Sequence, residues 1–405
     1  MKYFSMVLSL VIAISGCSRK SIVTAPPDTN GSTTIYLDNT QQIIRGFGAA
    51  NIVGWRPDMT PSEIQTAFGT GPGELGFSIM RLRIPPDSTQ FAINFPSAKA
   101  ASAMGVTIIA TPWTPPRWMK SNKSNIGGIL NASSYAAYAG FLKSFADTMF
   151  NNGAPLYAIS VQNEPDANVT YESCSWSPAG FFNFMKNNAP SVGVPVFLPE
   201  SMRFDHAYSD SALSDPAVAA NVAFIGGHIY GTSPSLYPRA IAMGKEVWMT
   251  EYLDLDTSWA AVVGTAKSTN DCMNVQMSAY LWWYIVRYYG PIGEDGVVTK
   301  RGYVMSQFAR FIRPGFHRVS TSAQSQANIC VTAYKNGSKV VIVALNTGSS
   351  SVNQRFVIPN SAVVSFTDYV TSVDKNCTQG TTVQVNGGIF TATLAPSSVT
   401  TFVSN

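Results

Sequence analysis

Tyr157-Ala158-Ile159-Ser160-Val161-Gln162-Asn163-Glu164-Pro165-Asp166 is a short apolar run that ends in a polar cluster with a carboxylate at its tip. A parallel strand buried on both faces has this pattern: near-continuous Val, Ile, Ala and aromatic residues, followed by a loop. Seven further runs of this kind lie at 44–52, 78–84, 106–113, 194–198, 222–230, 246–252 and 280–285. Helical spacing fills most of the gaps, as at 134–150 and 178–188. Eight β–α units with buried strands predict a (β/α)8 TIM barrel of the α/β class over residues 43–315.

The pattern changes beyond residue 316. Alternating runs occur at 327–334, 339–346, 354–358, 363–371, 382–385, 390–394 and 399–403, with Asn336-Gly337 and Asn386-Gly387 as hairpin signals. Residues 316–405 therefore predict an all-β, sandwich-like domain beside the barrel. A strand within 32–42 is expected to join it, so both ends of the folded chain build one domain.

Composition narrows the ligand class. The 405 residues suit a barrel plus a smaller partner, and 45% hydrophobic residues suffice for a large core. Charged residues are only 12%, about half the usual share, and Ser, Thr, Asn, Gly and aromatics take their place. Such a surface suits neutral ligands such as sugars. A net charge of +4 without a Lys/Arg run excludes nucleic acid as the partner. Lys2, the apolar stretch 7–14 and Ser15-Gly16-Cys17 read as an export signal over 1–16. Ile14-Ser15-Gly16-Cys17 resembles a bacterial lipobox, which implies a lipidated Cys17, a tether over 17–31 and a membrane-anchored protein at the cell surface or in the periplasm. The alternative is a plain secretory signal. Cys174, Cys272, Cys330 and Cys377 lack metal-ligand spacing; in an oxidising compartment they allow up to two disulfides, Cys330–Cys377 among them.

In a TIM barrel the reactive groups stand at the C-terminal ends of the strands. Reading those ends in order gives Trp55, then Arg81 and Arg83, then Trp113, then Asn163 and Glu164, then His228 and Tyr230, then Glu251, then Trp282, Trp283 and Tyr284 with Arg287 just beyond. Two carboxylates and a set of aromatics at one mouth suit glycoside hydrolysis. One carboxyl protonates the leaving oxygen and the other attacks the anomeric carbon or activates water, while aromatic faces hold sugar rings. Burial at the strand end is expected to raise the pKa of Glu164, as suits an acid. Arg81, Arg83, His228 and Tyr171 are supporting residues: the arginines neutralise the carboxylates or pack in the barrel, and His228 is a hydrogen-bonded wall. Trp282 and Trp283 point to opposite faces of a strand, so only one lines the cleft. No metal and no cofactor is implied.

The segments Arg45-Gly46-Phe47-Gly48, Met80-Arg81-Leu82-Arg83, Thr111-Pro112-Trp113-Thr114-Pro115-Pro116, Gln162-Asn163-Glu164-Pro165, Gly227-His228-Ile229-Tyr230-Gly231 and Trp248-Met249-Thr250-Glu251 resemble glycoside hydrolase family 30, in particular its bacterial glucuronoxylan-type endo-β-1,4-xylanases. The stretch from Trp282 to Pro314 is the most specific match. The resemblance implies a retaining mechanism through a covalent glycosyl-enzyme, with Glu164 as acid/base and Glu251 as nucleophile, acting as a monomer on plant cell-wall xylan. It implies glycone-side contacts from Trp55, Trp113 and Tyr230, with Asn163 bonding a hydroxyl near the reacting carbon. It also implies that Arg287 and Tyr289 hold a glucuronate side group. The chain departs from that pattern at Leu253 and Asp256, where the family has tyrosine and serine, and a carboxylate at 256 would repel glucuronate unless it pairs or points away. Arg287 instead forming a structural salt bridge, to Glu294 or Asp295, is the competing reading. Other activities of the family (β-1,6-glucanase, β-1,6-galactanase, glucosylceramidase-like) and a non-catalytic surface glycan-binding lipoprotein are the alternatives.

Overall fold

A computed structural model describes residues 31–323 and 326–405. The export signal, Cys17 and nearly all of the tether lie outside the described residues. Eight parallel strands close into a barrel: β2 (Gly46–Asn51), β3 (Ile79–Ile84), β4 (Thr107–Pro112), β5 (Ala158–Ser160), β6 (Val196–Ser201), β7 (Val222–His228), β8 (Val247–Glu251) and β9 (Met277–Tyr284). Alternation along these strands separates two apolar sets. Ile79, Ile109, Ala158, Phe197, Phe224, Trp248, Ala279 and Leu281 fill the interior. Met80, Leu82, Ile108, Ile159, Leu198, Ile225 and Met249 belong to the core shared with the surrounding helices.

The interior set forms an apolar floor, with Phe197, Phe224 and Trp248 stacked at 4.4 and 4.0 Å between ring centroids. Residues further along the same strands stand above it, which is how Arg81 and Thr111 come to face the mouth. Several of the helices start where a side chain satisfies one of their first N–H groups. Thr60 and Glu63 form a capping box for Pro61–Phe68, and Ser177, Ser258 and Thr299 cap Pro178–Asn187, Trp259–Asn274 and Lys300–Ala309.

The second domain contains β1 (Ser32–Ile43), β10 (His317–Thr321), β11 (Ile329–Asn336), β12 (Lys339–Asn346), β13 (Val352–Val357), β14 (Ser365–Thr371), β15 (Thr378–Gln384), β16 (Ile389–Leu394) and β17 (Ser398–Ser404). Their order is β15-β14-β17-β12-β11-β10-β1-β13-β16. The N-terminal strand β1 runs antiparallel to β10 and parallel to β13. The ends of the array fold over a core that includes Ile35, Phe356, Phe366, Phe390 and Phe402. This domain packs on the helices Trp259–Asn274 and Lys300–Ala309, through Trp259 Nε1 to Ser397 O at 3.0 Å and Lys300 Nζ to Ser372 O at 2.9 Å.

Three expectations are corrected. β10 was not foreseen, because His317-Arg318-Val319-Ser320-Thr321 carries a single aliphatic residue and shows no alternation. β6 runs to Ser201, beyond the expected end at 198. The four cysteines of the described residues are all free. Cys330 lies on β11 and Cys377 just before β15, four strand spacings away; at 4.7–4.9 Å each that is about 19 Å, well beyond disulfide reach.

Candidate active site

Glu164 and Glu251 meet above the apolar floor. An oxygen of each carboxylate and a ring nitrogen of His228 all lie within 4.8 Å of one another. Glu251 accepts from Arg81 Nη1 at 2.5 Å and from Tyr230 Oη at 2.9 Å. Glu164 accepts from Tyr171 Oη at 2.9 Å, and its other oxygen is 3.0 Å from His228 Nδ1. Both carboxylates are almost completely buried. The backbone of Glu164 is left-handed, φ +43°, a conformation that side chains rarely adopt. Its amide donates to Glu200 O at 3.0 Å, which holds that turn against β6.

Sequence reasoning missed Glu200. Alternation places Phe197 inward and Glu200 outward, but the β6–β7 register shifts between Pro199 and Ser201 and Glu200 has φ +52°. The irregularity turns the side chain into the barrel, where it is wholly buried with Arg81 Nη2 at 3.1 Å and His228 Nε2 at 3.8 Å. Glu251 arrives by the same device: Trp248 faces inward, and a register shift between β7 and β8 brings Glu251 to the same side. Such bulges re-aim side chains next to active sites. The Pro199-Glu200-Ser201 stretch carried no apolar signal to reveal it.

These groups form one electrostatic unit of three acids, Arg81 and His228. Burial alone would lower the pKa of His228, but Glu251, Glu164 and Glu200 outweigh it and raise the imidazole to about 9. Burial alone would raise Glu200, yet Arg81 and His228 hold it at about 2. Burial pushes Glu251 above the usual carboxylate range, against the pull of His228 and Arg81. For Glu164 the expectation of a raised pKa is not met. Burial acts in that direction, but the bonds from His228 and Tyr171 hold the group below its ordinary value. The two acids are close enough for their titrations to be coupled, so the steps in which they lose protons belong to the pair. The Glu164–His228–Glu251 spacing would also suit a metal, but the Arg81 guanidinium already occupies one oxygen of Glu251.

A cavity of about 390 Å³ opens over the pair, lined by Trp55, Trp113, Tyr171, Met202, Tyr230, Leu253, Trp283 and Tyr284 besides the two glutamates. Trp113, Trp55 and Trp283 form a triangle, with Trp113 at 5.4 and 5.6 Å from the other two and those two 6.4 Å apart, and the Arg81 guanidinium lies 4.8 Å from the Trp113 ring centroid. Of the tryptophan pair, Trp283 lines the cleft and Trp282 lies under Arg301. A register shift in β9 lets Tyr284 join it. Met202 and Leu253 were not assigned to the cleft.

The remaining predicted residues divide. Asn163 is buried at the base, its Oδ1 accepting from Arg81 Nη2 at 2.6 Å. His228 lies beneath the acids and bonds to one of them, so it is more than a wall residue. Arg83 does not reach the carboxylates; it makes a two-bond pair with Glu172 at 2.6 and 2.8 Å, under Trp55. Arg287 and Tyr289 do not line the cavity. Arg287 is an exposed rim residue paired with Glu294 at 2.6 Å, its guanidinium 5.9 Å from the Tyr284 ring centroid. The Asp256 carboxylate is occupied by the Ser258 amide and hydroxyl, at 2.8 and 3.0 Å.

Residues 74–186 match the description "Glycosyl hydrolase family 30 TIM-barrel domain". The chain is 40% identical over 387 residues to glucuronoxylanase XynC of Bacillus subtilis, covering 92% of this chain and 91% of that one. It superposes on the family 30 subfamily 8 xylanase Xyn30A of Clostridium acetobutylicum with a TM-score of 0.89 at 38% identity, covering 93% of this chain and all (100%) of that one. A family 30 endoxylanase of Clostridium papyrosolvens C71 gives 0.86 at 38% identity, covering 92% and 100%. With this identity sustained over nearly the whole length, and the paired glutamates at the barrel mouth, the chain belongs to glycoside hydrolase family 30.

Proposed function

We propose that the protein is a retaining endo-β-1,4-xylanase that cuts the xylan backbone by double displacement. The observation that carries the mechanism is the approach of the Glu164 and Glu251 carboxylates to within 4.8 Å. Retaining enzymes hold their carboxyls about 5–5.5 Å apart, whereas inverting enzymes leave about 6.5–9.5 Å for a water. Glu251, aimed by Arg81 and Tyr230, attacks the anomeric carbon and forms the glycosyl-enzyme. Glu164 acts as the acid that gives a proton to the leaving oxygen, then as the base that takes one from the water that releases the sugar. Tyr171 and His228 hold Glu164 in line for both steps. Trp55, Trp113 and Trp283 offer apolar faces to the ring beside the cut bond. The names of the similar proteins support xylan as the polymer. Proton NMR of the first product settles the stereochemistry: the β-anomer is expected, and an initial α-anomer would refute the mechanism. Digests of xylan, β-1,6-glucan and galactan, compared by mass, test the polymer; cleavage of xylan alone is expected.

Glucuronate side groups are favoured but not required in this reading. Arg287 is placed at the rim beside Tyr284, and its planar fork suits a carboxylate, but Glu294 competes for it. An exposed pair of this kind is worth about 0.2–1 kcal/mol. Glu294→Gln is therefore expected to raise the ratio of kcat/KM on glucuronoxylan to that on linear xylan by a few-fold at most, and Arg287→Ala to remove the preference. Equal losses on both polymers in Arg287→Ala would show that Arg287 does not read the side group.

We further propose export and anchoring through a lipid on Cys17, supported by the Ile14-Ser15-Gly16-Cys17 pattern. Among the described residues no helix is long and apolar enough to cross a membrane. Cys17→Ser should move the protein from the membrane to the soluble fraction; unchanged partitioning would remove the anchor.

A further inference from the structure

A second cavity, of about 610 Å³, opens beside the catalytic one, and its volume lies within the range of small-molecule sites. Arg83, Asp87, Gln90, Arg117, Trp118 and Glu172 are among the residues around it. Neighbouring residues line the two cavities. Tyr171 faces the catalytic cavity while Glu172, the next residue, faces the second. Likewise Trp55 faces the first, and Arg83, whose guanidinium is 5.3 Å from the Trp55 ring centroid, faces the second.

Trp118 is 66% exposed, the most open tryptophan among the described residues. Singly exposed apolar residues are ordinary, but the segment that carries this one is held firmly in place. Lys120 is buried and its ammonium donates to Thr114 Oγ1 at 2.7 Å and Ser173 O at 2.6 Å. Gly127 N donates to Ser173 Oγ, and Ser173 N to Asn125 O, both at 2.9 Å. These bonds stitch the Trp118 loop to the loop that carries Tyr171 and Glu172. The indole is therefore presented on a fixed support, at little entropic cost to a ligand.

The charges around the cavity balance. Arg83 is paired twice with Glu172. Arg117 faces Asp87, whose carboxyl is held low chiefly by bonds from Thr89 and further by Arg117. A cavity with an open aromatic face, balanced ionic groups and hydrogen-bonding side chains such as Gln90 suits a neutral, polyhydroxylated ring. Two guanidinium and two carboxylate groups cancel in number, so the cavity offers an anion no net positive charge.

We propose that this cavity is a further subsite of the cleft, in which Trp118 stacks on a neutral pyranose of the same glycan chain that is cut between Glu164 and Glu251. The proposal rests on the xylanase reading and adds to it a preference for longer chains. The test compares kcat/KM on xylohexaose and xylotriose for the wild type, Trp118→Ala and Trp118→Phe, with melting curves to establish folding. The hexaose-to-triose ratio is expected to fall about tenfold in Trp118→Ala and to recover largely in Trp118→Phe, which keeps a stacking face. An unchanged ratio would overturn the subsite, and so would equal losses on both substrates, since the residue would then act through the fold or the catalytic cavity. Wild-type enzyme that cleaves neither substrate nor polymeric xylan would instead fail the underlying reading and take the subsite with it.

Discussion

Glu251→Ala removes turnover, by about 10⁴-fold or more, while glycan binding persists. The side chain sits at the base of the cleft, fixed by Arg81 at 2.5 Å and Tyr230 at 2.9 Å, and the pocket aromatics that grip the sugar remain in place without it. Added azide distinguishes the roles of the two acids. In Glu251→Ala it fills the space of the lost carboxylate, attacks directly and gives the inverted α-glycosyl azide. In Glu164→Ala it attacks the glycosyl-enzyme and gives the retained β-azide, provided the leaving group needs no proton. Either the same anomer from both variants, or near-normal activity in Glu251→Ala, would reverse or remove the assignment.

Glu200→Gln is expected to be almost as damaging although Glu200 does not line the catalytic cavity. The substitution leaves Arg81 and His228 buried with one counter-charge fewer, and breaking a buried ionic network in this way costs about 3–5 kcal/mol. The pH dependence carries the sign. Glu200 is held at about 2, below its unfolded value of about 4.3. Its contribution to stability is thus complete above about pH 4.3 and is lost as pH falls through about 2. The deficit of Glu200→Gln should be full near neutrality and shrink in acid. His228 behaves oppositely. Raised to about 9, it contributes most below its unfolded pKa of about 6.5, and that contribution is lost as pH rises through about 9. Without Glu200 the imidazole loses its proton at lower pH, and with it the positive charge that strengthens its bond to Glu164. The alkaline limb of the kcat profile should move down by about a pH unit. Melting temperatures and pH–rate profiles of the two proteins check both effects; an unmoved alkaline limb beside an unchanged melting temperature would show Glu200 to be inert.

The barrel was legible because each strand is buried on both faces and carries a run of apolar residues that no turn interrupts. The ends of β5 and β8 then pointed to Glu164 and Glu251, since strand ends are where this fold exposes polar groups. The nine-stranded domain was legible wherever strands alternate, and β10 was lost because its outward residues are polar and only Val319 marks the core. Trp55, Trp113, Tyr230 and Trp283 were found for the same reason as the glutamates. Glu200 was not, because it depends on a local break in strand register that a period-two reading cannot contain. Met202 was passed over because an aliphatic residue near a strand end has no chemistry to announce it, and Leu253 stood out only as a departure from the family pattern.

By itself the sequence determined the architecture, the pair of acids and the aromatic company they keep, because apolar periodicity and strand ends are local properties. Only the tertiary structure decided which charges neutralise which: Arg81 with Glu251 and Glu200, Arg83 with Glu172, Arg287 with Glu294. It also decided that the cysteines stay apart. Partners of this kind come from strands and loops distant along the chain, and their choice turns on register shifts of one residue, which composition and spacing do not encode.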